Sequence, residues 1–596
     1  MNPVKEKSGA ESVTWNLADL YTSVHDPRLA ADRQEVLAEA DRFADLYKGK
    51  IADLTPAAYS DVLKTYEAIL DRVGRIGSYA YLLWSTNTED AAYGKLMQEA
   101  NELSSEMSQK MVFFDLEWLK FPDEKAREFT DSEELRPYRH YLEASRRYKP
   151  FMLDEKQEQV LSAKSVTGKQ AWIRYFDETL GAARFTLNGQ ELTEQEVLSK
   201  LHEPDRDLRM EASKSLTEGF RGMKRSLTFV FNTLLADKKT NDKLRGYPSW
   251  ISSRNLSNEI EDSTVETLVG AVTNRYATVQ RYYRLKSNLL GLDSMKEYDR
   301  YAPLLKAETV VKWDDARDMV LRSYGAFHPE MGRIASLFFE ENWIDAAIRP
   351  GKRGGAYSAS TVPSVHPYVF MNYDGRIRDV QTLAHELGHG VHQYLSRDQG
   401  VLQSGTPLTT AETASVFGEM LVFQNLLQTL DNPRDRLALL LGKIDDTVAT
   451  VFRQVSMNRF EHAIHTARRT DGELTTEQYS TIWRETQTSL YGDSVELTSD
   501  YDIWWCYIPH FLHTPGYVYA YAFGELLVLA LYEVYSQGRN GFVDRYMDML
   551  RAGGSDWPSN LVGTFNLDID SPDFWNKGLD AIDQMVTQAE QLAQQI

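Results

Sequence analysis

The chain has 596 residues, too many for one small hydrophobic core, and its 42% hydrophobic and 26% charged residues are typical of a soluble globular protein. The formal net charge of −21 argues against nucleic acid as a partner, because no basic face is available to displace counterions from phosphates. No apolar run reaches the roughly 18 residues of a membrane span. The first residues lack an apolar signal segment, and the single cysteine, Cys506, cannot form an internal disulfide, so we expect a cytoplasmic protein.

The first 195 residues are predicted to form a helical lobe. Apolar residues recur at three- and four-residue spacing in four stretches: 35–47, 56–81, 91–119 and 153–176. A β-hairpin is predicted next, because Asn188-Gly189 supplies two residues that tolerate positive φ. We interpret this hairpin as the seam between an N-terminal helical lobe, residues 1–195, and a larger C-terminal domain, residues 196–596.

A glycine-rich segment, residues 349–360, interrupts the helical pattern. It is either a loop whose backbone approaches something closely or an ordinary flexible connection. Gly355 and Tyr357 lie in it. Residues 367–373 are β-prone and end at Asp374-Gly375, which predicts a short strand.

The stretch His385-Glu386-Leu-Gly-His389 places two imidazoles four residues apart, with a carboxylate between them. On a helix, positions i and i+4 lie on one face, so both histidines can ligate one metal ion. Glu386 projects about 100° from His385, where it can reach a water on the metal without being a ligand. This pattern is typical of zinc peptidases, with two neutral imidazoles as ligands and a glutamate as general base. The alternative is a chance match on a polar helix face.

Two imidazoles leave a catalytic zinc ion short of one protein ligand. A third histidine six residues after His389 is excluded, because Leu395 stands there. A downstream carboxylate is then expected, and Glu412 and Glu419 lie seven residues apart on one face of a predicted helix. Thr409 and Glu412 form a possible capping box that places Glu412 in the first turn. We therefore predict Glu412 as the third ligand, and the alternatives are that Glu419 is the ligand or that Glu412 only caps the helix.

A ligand imidazole usually donates its second N–H to an acceptor that orients it. Glu419 is predicted for this role, and Asp379, six residues before His385, competes for it. His392 is interpreted as a packing residue or as a neighbour of the ligands. A long helix is predicted between Asn432 and Gly472, and its histidines, at positions 462 and 465, are interpreted as packed or surface residues.

Residues 510–521, His-Phe-Leu-His-Thr-Pro-Gly-Tyr-Val-Tyr-Ala-Tyr, gather imidazoles and phenols around a Gly/Pro break. If a metal-polarised carbonyl is attacked by water, its oxyanion needs a further donor, and this segment is the obvious source. We predict His510 and Tyr517 as catalytic donors, and Tyr519 and Tyr521 as substrate contacts together with Gly355 and Tyr357. The alternative is an aromatic core helix, since alternating tyrosines cannot all face one side.

Together these motifs resemble the thimet oligopeptidase family of zinc metallopeptidases and, within it, the bacterial oligoendopeptidase F group. The resemblance rests on residues 385–392, 412–419 and 510–521, with support from 355–357, 366–369, 379–383 and 574–579. It implies a mainly α, two-lobed fold with a deep central channel and a small β-sheet beside the motif helix. It also implies one Zn²⁺ ion, short peptides as substrates, and residues 196–596 as the catalytic domain. His385, His389 and Glu412 would be the ligands and Glu386 the base.

In this interpretation the strand at 367–373 and the Gly355 loop supply an edge to which an extended peptide can add through backbone hydrogen bonds. One alternative is a metallocarboxypeptidase or dipeptidyl-carboxypeptidase on a similar scaffold, which would need a cationic residue to fix the substrate C-terminus. Another is a non-catalytic peptide-binding protein, which would be expected to have lost Glu386 or a ligand. The sequence carries no signal for the oligomeric state.

Overall fold

The computed structural model describes residues 7–304, 310–538 and 540–596. About 70% of the chain is helical and about 3% is strand, so the predicted mainly α fold with a small sheet is confirmed. The central channel that the resemblance implies stays a prediction. Among the described residues, no helix combines the length and apolar character needed to cross a membrane.

Helices form most of the chain. Those before residue 300 are α1 (Pro27–Tyr47), α2 (Pro56–Thr86), α3 (Ala91–Leu119), α4 (Asp123–Thr130), α5 (Arg139–Arg146), α6 (Glu155–Ser165), α7 (Lys169–Ala182), α8 (Glu194–Lys200), α9 (Arg206–Arg245), α10 (Ser252–Ser257), α11 (Asp262–Thr273) and α12 (Tyr276–Leu289). Those after it are α13 (Trp313–Phe327), α14 (Pro329–Glu340), α15 (Ile377–Ser396), α16 (Leu408–Ala411), α17 (Thr413–Thr429), α18 (Pro433–Thr447), α19 (Gln454–Thr470), α20 (Thr476–Tyr491), α21 (His510–His513), α22 (Tyr519–Ser536), α23 (Phe542–Ala552), α24 (Pro558–Gly563) and α25 (Pro572–Ala593).

Two small sheets accompany the helices in the described part of the chain. Strands β1 (Phe185–Leu187) and β2 (Gln190–Leu192) form the predicted hairpin, with Asn188 and Gly189 at φ 51° and 78° in the turn. Strands β3 (Ile344–Asp345), β4 (Tyr357–Ala359) and β5 (Tyr368–Phe370) form a second sheet in the order β3-β5-β4. β5 pairs with β3 in parallel and with β4 in antiparallel fashion. It is therefore the central strand.

The chain forms two compact units, each assembled from three segments. The first unit comprises Met1–Lys149, Ala307–Thr429 and Val534–Leu567. The second unit comprises Pro150–Lys306, Leu430–Glu533 and Asp568–Ile596. Each unit combines segments that are far apart in sequence, and residue 195 lies within a segment of the second unit. The predicted boundary between a lobe at residues 1–195 and a domain at residues 196–596 stays a prediction.

The long helix predicted between Asn432 and Gly472 is present as α18 and α19, joined without a break by a π-helical turn at Val448–Arg453. The Asn432 side chain accepts the Arg434 N–H at 2.9 Å and caps the first turn. Gly472, with φ 95°, follows the last turn. In the second unit, apolar residues of α19 join a core that also includes α9, α20 and residues 501–518.

Candidate metal centre and its surroundings

Helix α15 carries both predicted imidazole ligands. Its first turn is closed by Asp379, whose Oδ2 accepts the backbone N–H groups of Asp374 at 2.9 Å and Arg376 at 3.0 Å. This carboxylate is therefore used to start the helix, and the prediction that Asp379 orients a ligand imidazole is wrong. The reason is that α15 begins only at Ile377, which puts Asp379 in its first turn.

Helix α17 packs unusually close to α15, and a glycine makes this possible. A Cβ atom at Gly388 would overlap the Ala414 carbonyl oxygen and lie 2.6 Å from the Ser415 Cα. Only a residue without a side chain fits there. The Tyr324 hydroxyl also donates to the Ala384 carbonyl oxygen from α13. This close packing brings Glu412, which directly precedes α17, and Glu419, within α17, to the imidazoles of α15. Sequence reasoning missed the close approach, although Gly388 was its visible sign.

The three predicted ligands meet in the structure. Their ligand atoms all lie within 4.8 Å of one another. Glu412 Oε2 is 3.3 Å from His385 Nε2 and 3.3 Å from His389 Nε2. Bonds of about 2.0–2.2 Å in a tetrahedral site separate neighbouring ligand atoms by roughly 3.3–3.6 Å. Two imidazoles and one carboxylate at these separations fit a catalytic zinc ion, which keeps its fourth position for water.

Glu412 occupies a different local position from the predicted one. It lies at the junction of α16 and α17 with φ −84° and ψ 1°, and Thr409 is inside α16. The predicted Thr409–Glu412 capping box is therefore wrong, because the helix is interrupted at this point. Ser415 Oγ donates to Glu412 Oε2 at 2.7 Å and fixes the carboxylate.

Glu419 lies on the far side of His385 from Glu412. Its Oε2 is 3.4 Å from His385 Nδ1, whereas Glu412 faces Nε2 of the same ring. An acceptor at Nδ1 holds the ring in the tautomer that presents Nε2 to a metal. The geometry fits the orienting role predicted for Glu419.

The contacts between His385 and Glu412 shift the pKa values of both side chains toward their charged forms. Burial opposes protonation of His385, but its hydrogen bonds to Glu412 and Glu419 outweigh that effect and raise its pKa to about 10. Burial likewise opposes the charge of Glu412, but the two imidazoles hold its pKa well below the usual range. Metal ligands must be deprotonated imidazoles, so a metal ion that binds here has to displace a proton.

Glu386 is buried beside the cluster and does not belong to it. Desolvation raises its pKa, and the two ligand imidazoles and the Ser358 backbone N–H act in the opposite direction. Its Oε2 has no hydrogen-bond partner within the described residues. A buried carboxylate oxygen left without a partner is costly unless a ligand or water completes it. This oxygen is therefore suited to hold a water beside the metal ligands.

A cavity of about 490 Å³ opens beside the ligands and Glu386. Its other walls include residues 356–358, Ser360 and residues 404–406. Strand β4 runs along it: Ser358 Oγ donates to Gln393 Oε1 on α15 at 2.8 Å. The side of β4 away from β5 pairs with no other strand in the part of the chain that the structure describes. The expectation that residues 367–373 supply the peptide-binding edge is wrong, because β5 lies in the middle of the sheet and β4 has the open edge.

The two residues predicted from the glycine-rich segment differ in their surroundings. Gly355 has φ 87°, and a Cβ there would meet no atom of the described residues within 4 Å, so its freedom serves the backbone conformation. The Tyr357 ring stacks on Phe370 with centroids 4.9 Å apart and also contacts Tyr81 at 5.4 Å. Its side chain therefore packs the sheet, although the residue itself lines the cavity.

His392 was interpreted as a packing residue or a neighbour of the ligands. It is buried and lines the cavity. Desolvation and the nearby His389 lower its pKa to about 3, so this imidazole stays neutral.

The predicted donors, His510 and Tyr517, belong to the second unit, where they cluster with Tyr521. The His510 and Tyr517 rings stack at 6.1 Å, and the Tyr517 and Tyr521 rings meet edge-on at 5.0 Å. The Tyr521 hydroxyl lies 3.4 Å from His510 Nε2. Burial lowers the pKa of His510, which favours the neutral imidazole.

Two further residues of this segment are occupied elsewhere. Tyr519 is fully buried, and its hydroxyl donates to Asn255 at 2.7 Å and accepts from Asn258 at 2.8 Å. Its predicted substrate contact is not supported, because the hydroxyl already has both partners. His513 Nε2 pairs with Asp177 at 2.9 Å, which leaves His510 as the better candidate donor.

Comparisons with known proteins agree with this geometry. A profile of Peptidase family M3 matches residues 199–581, and one of Oligopeptidase F matches residues 117–185. Oligopeptidase PepF of Bacillus subtilis is 27% identical, over 98% of this chain and 88% of that protein. Group B oligopeptidase PepB of Streptococcus agalactiae is also 27% identical, over 98% and 97% of the two chains.

The fold has a similar solved counterpart. Oligoendopeptidase-F from Enterococcus faecium superposes with a TM-score of 0.73 at 23% identity, and the match covers 96% of this chain and 99% of that one. The M3 profile spans the motif helix, Glu412 and residues 510–521. The chain belongs to peptidase family M3.

Proposed function

We propose that the chain hydrolyses internal peptide bonds of oligopeptides, with one zinc ion held by His385, His389 and Glu412, and with Glu386 as general base. One observation carries this proposal: the three ligand atoms converge, and the carboxylate of Glu386 borders the same cavity without a partner for Oε2 among the described residues. The oligopeptide substrate class is supported by relatives that are named oligopeptidases.

Zinc is proposed over other divalent metals because two imidazoles and a single carboxylate suit it, whereas magnesium and calcium prefer all-oxygen sites. When bound, the ion supplies Lewis acidity, which polarises the scissile carbonyl and acidifies a nearby water. Glu419 holds His385 in the ligating tautomer through Nδ1, and Ser415 fixes the Glu412 carboxylate.

Glu386 moves the proton. Its Oε2 takes a proton from the attacking water and delivers it to the leaving amine nitrogen, so one residue serves as base and then as acid. Desolvation, which raises its pKa, brings the carboxyl closer to the pH at which a base and acid are both effective.

Strand β4 is proposed to bind the substrate backbone. The Ser358 carbonyl oxygen accepts from Gln393 Nε2 on α15 at 3.4 Å, so the backbone polar groups of Ser358 point away from β5. Residues two positions away along a strand point their backbone polar groups in the same direction. Ala356 and Ser360 are two positions from Ser358, and both line the cavity. An extended peptide on this edge would be held by main-chain bonds, which gives loose sequence preference.

His510 and Tyr517 are proposed to donate hydrogen bonds to the oxyanion, and Tyr521 to contact substrate. Support comes from the clustering of these three side chains and from burial, which lowers the pKa of His510 and favours a neutral imidazole. A donor of this kind contributes roughly 3 kcal/mol to transition-state stabilisation. The cytoplasmic location stays a prediction from the single cysteine.

The experiment uses internally quenched peptides blocked at both ends, with zinc-loaded parent protein and Glu386→Gln. Cleavage by the parent and not by the variant is expected. If only peptides with a free C-terminus are cut, the endopeptidase assignment fails. Equal rates for the two proteins would disprove the role of Glu386.

A further inference from the structure

Glu461 of α19 is a buried acid that the proposed reaction does not use. It is 0% exposed, and two other residues of the same helix, Phe460 and Ile464, belong to the apolar core of the second unit. One carboxylate oxygen, Oε1, accepts the Gly516 N–H at 2.9 Å. The other, Oε2, contacts no hydrogen-bond partner in the described ranges. A carboxyl in such a place is expensive to bury, so its single hydrogen bond needs an explanation.

That hydrogen bond fastens the turn before Tyr517. Gly516 has φ 75°, a left-handed conformation that favours glycine. A Cβ there would lie 3.2 Å from Ile251 Cγ1 and 3.4 Å from Arg254 Cβ, so α10 presses on the turn from another direction. The Tyr517 N–H donates to the Thr514 carbonyl at 3.1 Å and closes the turn. Glu461 and α10 thus leave the Gly516 peptide little freedom.

The conformation of this turn sets the position of the Tyr517 side chain. Tyr517 directly follows Gly516, and the Arg254 guanidinium carbon lies 5.9 Å from its ring centroid. The Tyr517 ring also contacts the rings of His510 and Tyr521, with centroids 6.1 Å and 5.0 Å apart. A rotation of the Gly516 peptide would therefore shift the Tyr517 ring relative to both neighbours.

We propose that Glu461 is a positioning residue that holds the Gly516 turn and thereby places the Tyr517 hydroxyl for catalysis. This rests on the proposed role of Tyr517 as an oxyanion donor. Misplacement of a catalytic group by about 1 Å can cost on the order of 100-fold in rate, so a buried anchor for this turn has a clear use.

The state of the carboxyl agrees with an anchoring role. Burial raises the pKa of Glu461 to about 8, against the Gly516 N–H and the Arg254 charge, which act in the opposite direction. At neutral pH the group is mainly a neutral carboxyl that accepts through one oxygen. Glutamine has the same shape and the same accepting oxygen, so it should replace Glu461 in this task.

The test compares Glu461→Gln with Glu461→Met in the zinc-loaded full-length protein. Methionine fills the space without an acceptor and removes a buried polar group, so the variant should fold. We expect kcat to fall about 10- to 100-fold in Glu461→Met with KM within about twofold, and Glu461→Gln to stay within about threefold of the parent. Asn458→Leu, at a buried polar position on the same helix, is the matched control and should resemble the parent.

Coupling to Tyr517 separates positioning from a general structural effect. In Tyr517→Phe, the further change Glu461→Met should cause no additional loss, because the group it positions has already been removed. Hydrogen exchange of the segment 510–521 should be faster in Glu461→Met than in Glu461→Gln. Additive losses, or unchanged exchange in Glu461→Met, would overturn the proposal.

The outcomes distinguish this proposal from the proposed function. If Glu386→Gln is inactive and Tyr517→Phe is impaired while Glu461→Met is not, the function stands and the anchor is wrong. If Tyr517→Phe has parental kcat, the donor role of Tyr517 is wrong and the positioning role is refuted with it. If Glu386→Gln retains full activity, the proposed mechanism fails, and the exchange measurement still decides whether Glu461 holds the turn.

Discussion

Glu386 in the first unit and Glu461 in the second are chemically the same and surprisingly alike in environment. Both lie on helices, both are buried, and each has an Oε2 that finds no hydrogen-bond partner in the described chain. Burial raises the pKa of both carboxyls. They differ in access, because Glu386 borders a cavity of about 490 Å³, whereas Glu461 is fully buried beside the Gly516 N–H and near the Arg254 charge.

This difference separates two uses of a buried acid. A carboxylate beside an open cavity can exchange a proton with water and substrate, which is what a general base needs. An enclosed carboxyl can only hold its neighbours, here the Gly516 N–H. A raised pKa alone therefore does not identify the catalytic residue, and access to the cavity does.

The same substitution in the two places should have opposite results. Glu386→Gln removes the base and should lower kcat about 10³-fold, whereas Glu461→Gln keeps its acceptor and should stay near the parent. Steady-state kinetics with a quenched peptide measures both, and metal analysis should show zinc retained in each. Similar losses in the two variants would break the comparison.

Removal of Glu419, the acceptor beside the ligand His385, tests how the metal ligands are oriented. Glu419→Ala takes away the acceptor at His385 Nδ1 and should weaken zinc binding roughly 10- to 100-fold. Competition with a metal chelator measures this affinity. Gln428→Ala, at an exposed position of the same helix, is the control. Unchanged affinity would mean that Glu419 does not orient the ligand.

The turn held by Glu461 can also be disturbed from its other side. Gly516→Ala places a Cβ in a left-handed conformation, 3.2 Å from Ile251 and 3.4 Å from Arg254. We expect kcat to fall about 10-fold, since the Tyr517 ring must shift. Gly538→Ala, at another left-handed glycine whose Cβ would meet no described atom within 4 Å, controls for backbone strain alone. Equal effects of the two changes would contradict a specific role for the Gly516 turn.

The last prediction concerns stability and pH rather than activity. With a folded pKa of about 8 against 4.5 for an unperturbed glutamate, Glu461 binds a proton in the folded state that the unfolded chain has lost between those pH values. Stability from this group is therefore lost as pH rises through that window, by up to about 1.4 kcal/mol per pH unit. Glu461→Gln lacks this titration, so its Tm should rise relative to the parent between pH 5 and pH 8. Thermal unfolding checks this, with the exposed Glu485→Gln as control.

Sequence alone determined the features that depend on local geometry. His385 and His389 share one face of α15 because helical periodicity places residues four apart together, and this holds in any helix. The Asn188-Gly189 turn and the capped start of α18 follow from backbone preferences of single residues. Short-range rules are sufficient in these cases, since the interacting groups are only a few residues apart.

Only the tertiary structure decided between residues whose partners are distant in sequence. Whether Glu412 or Glu419 faces the metal side of His385 depends on how closely α17 approaches α15 at Gly388. In the structure Glu412 faces Nε2 and Glu419 faces Nδ1. The central place of β5 depends on which strands flank it, and the use of Tyr519 depends on Asn255 and Asn258. Glu461 attracted no notice in the sequence, because its partner Gly516 lies 55 residues away. Such contacts form only when the core packs, and helical periodicity carries no record of them.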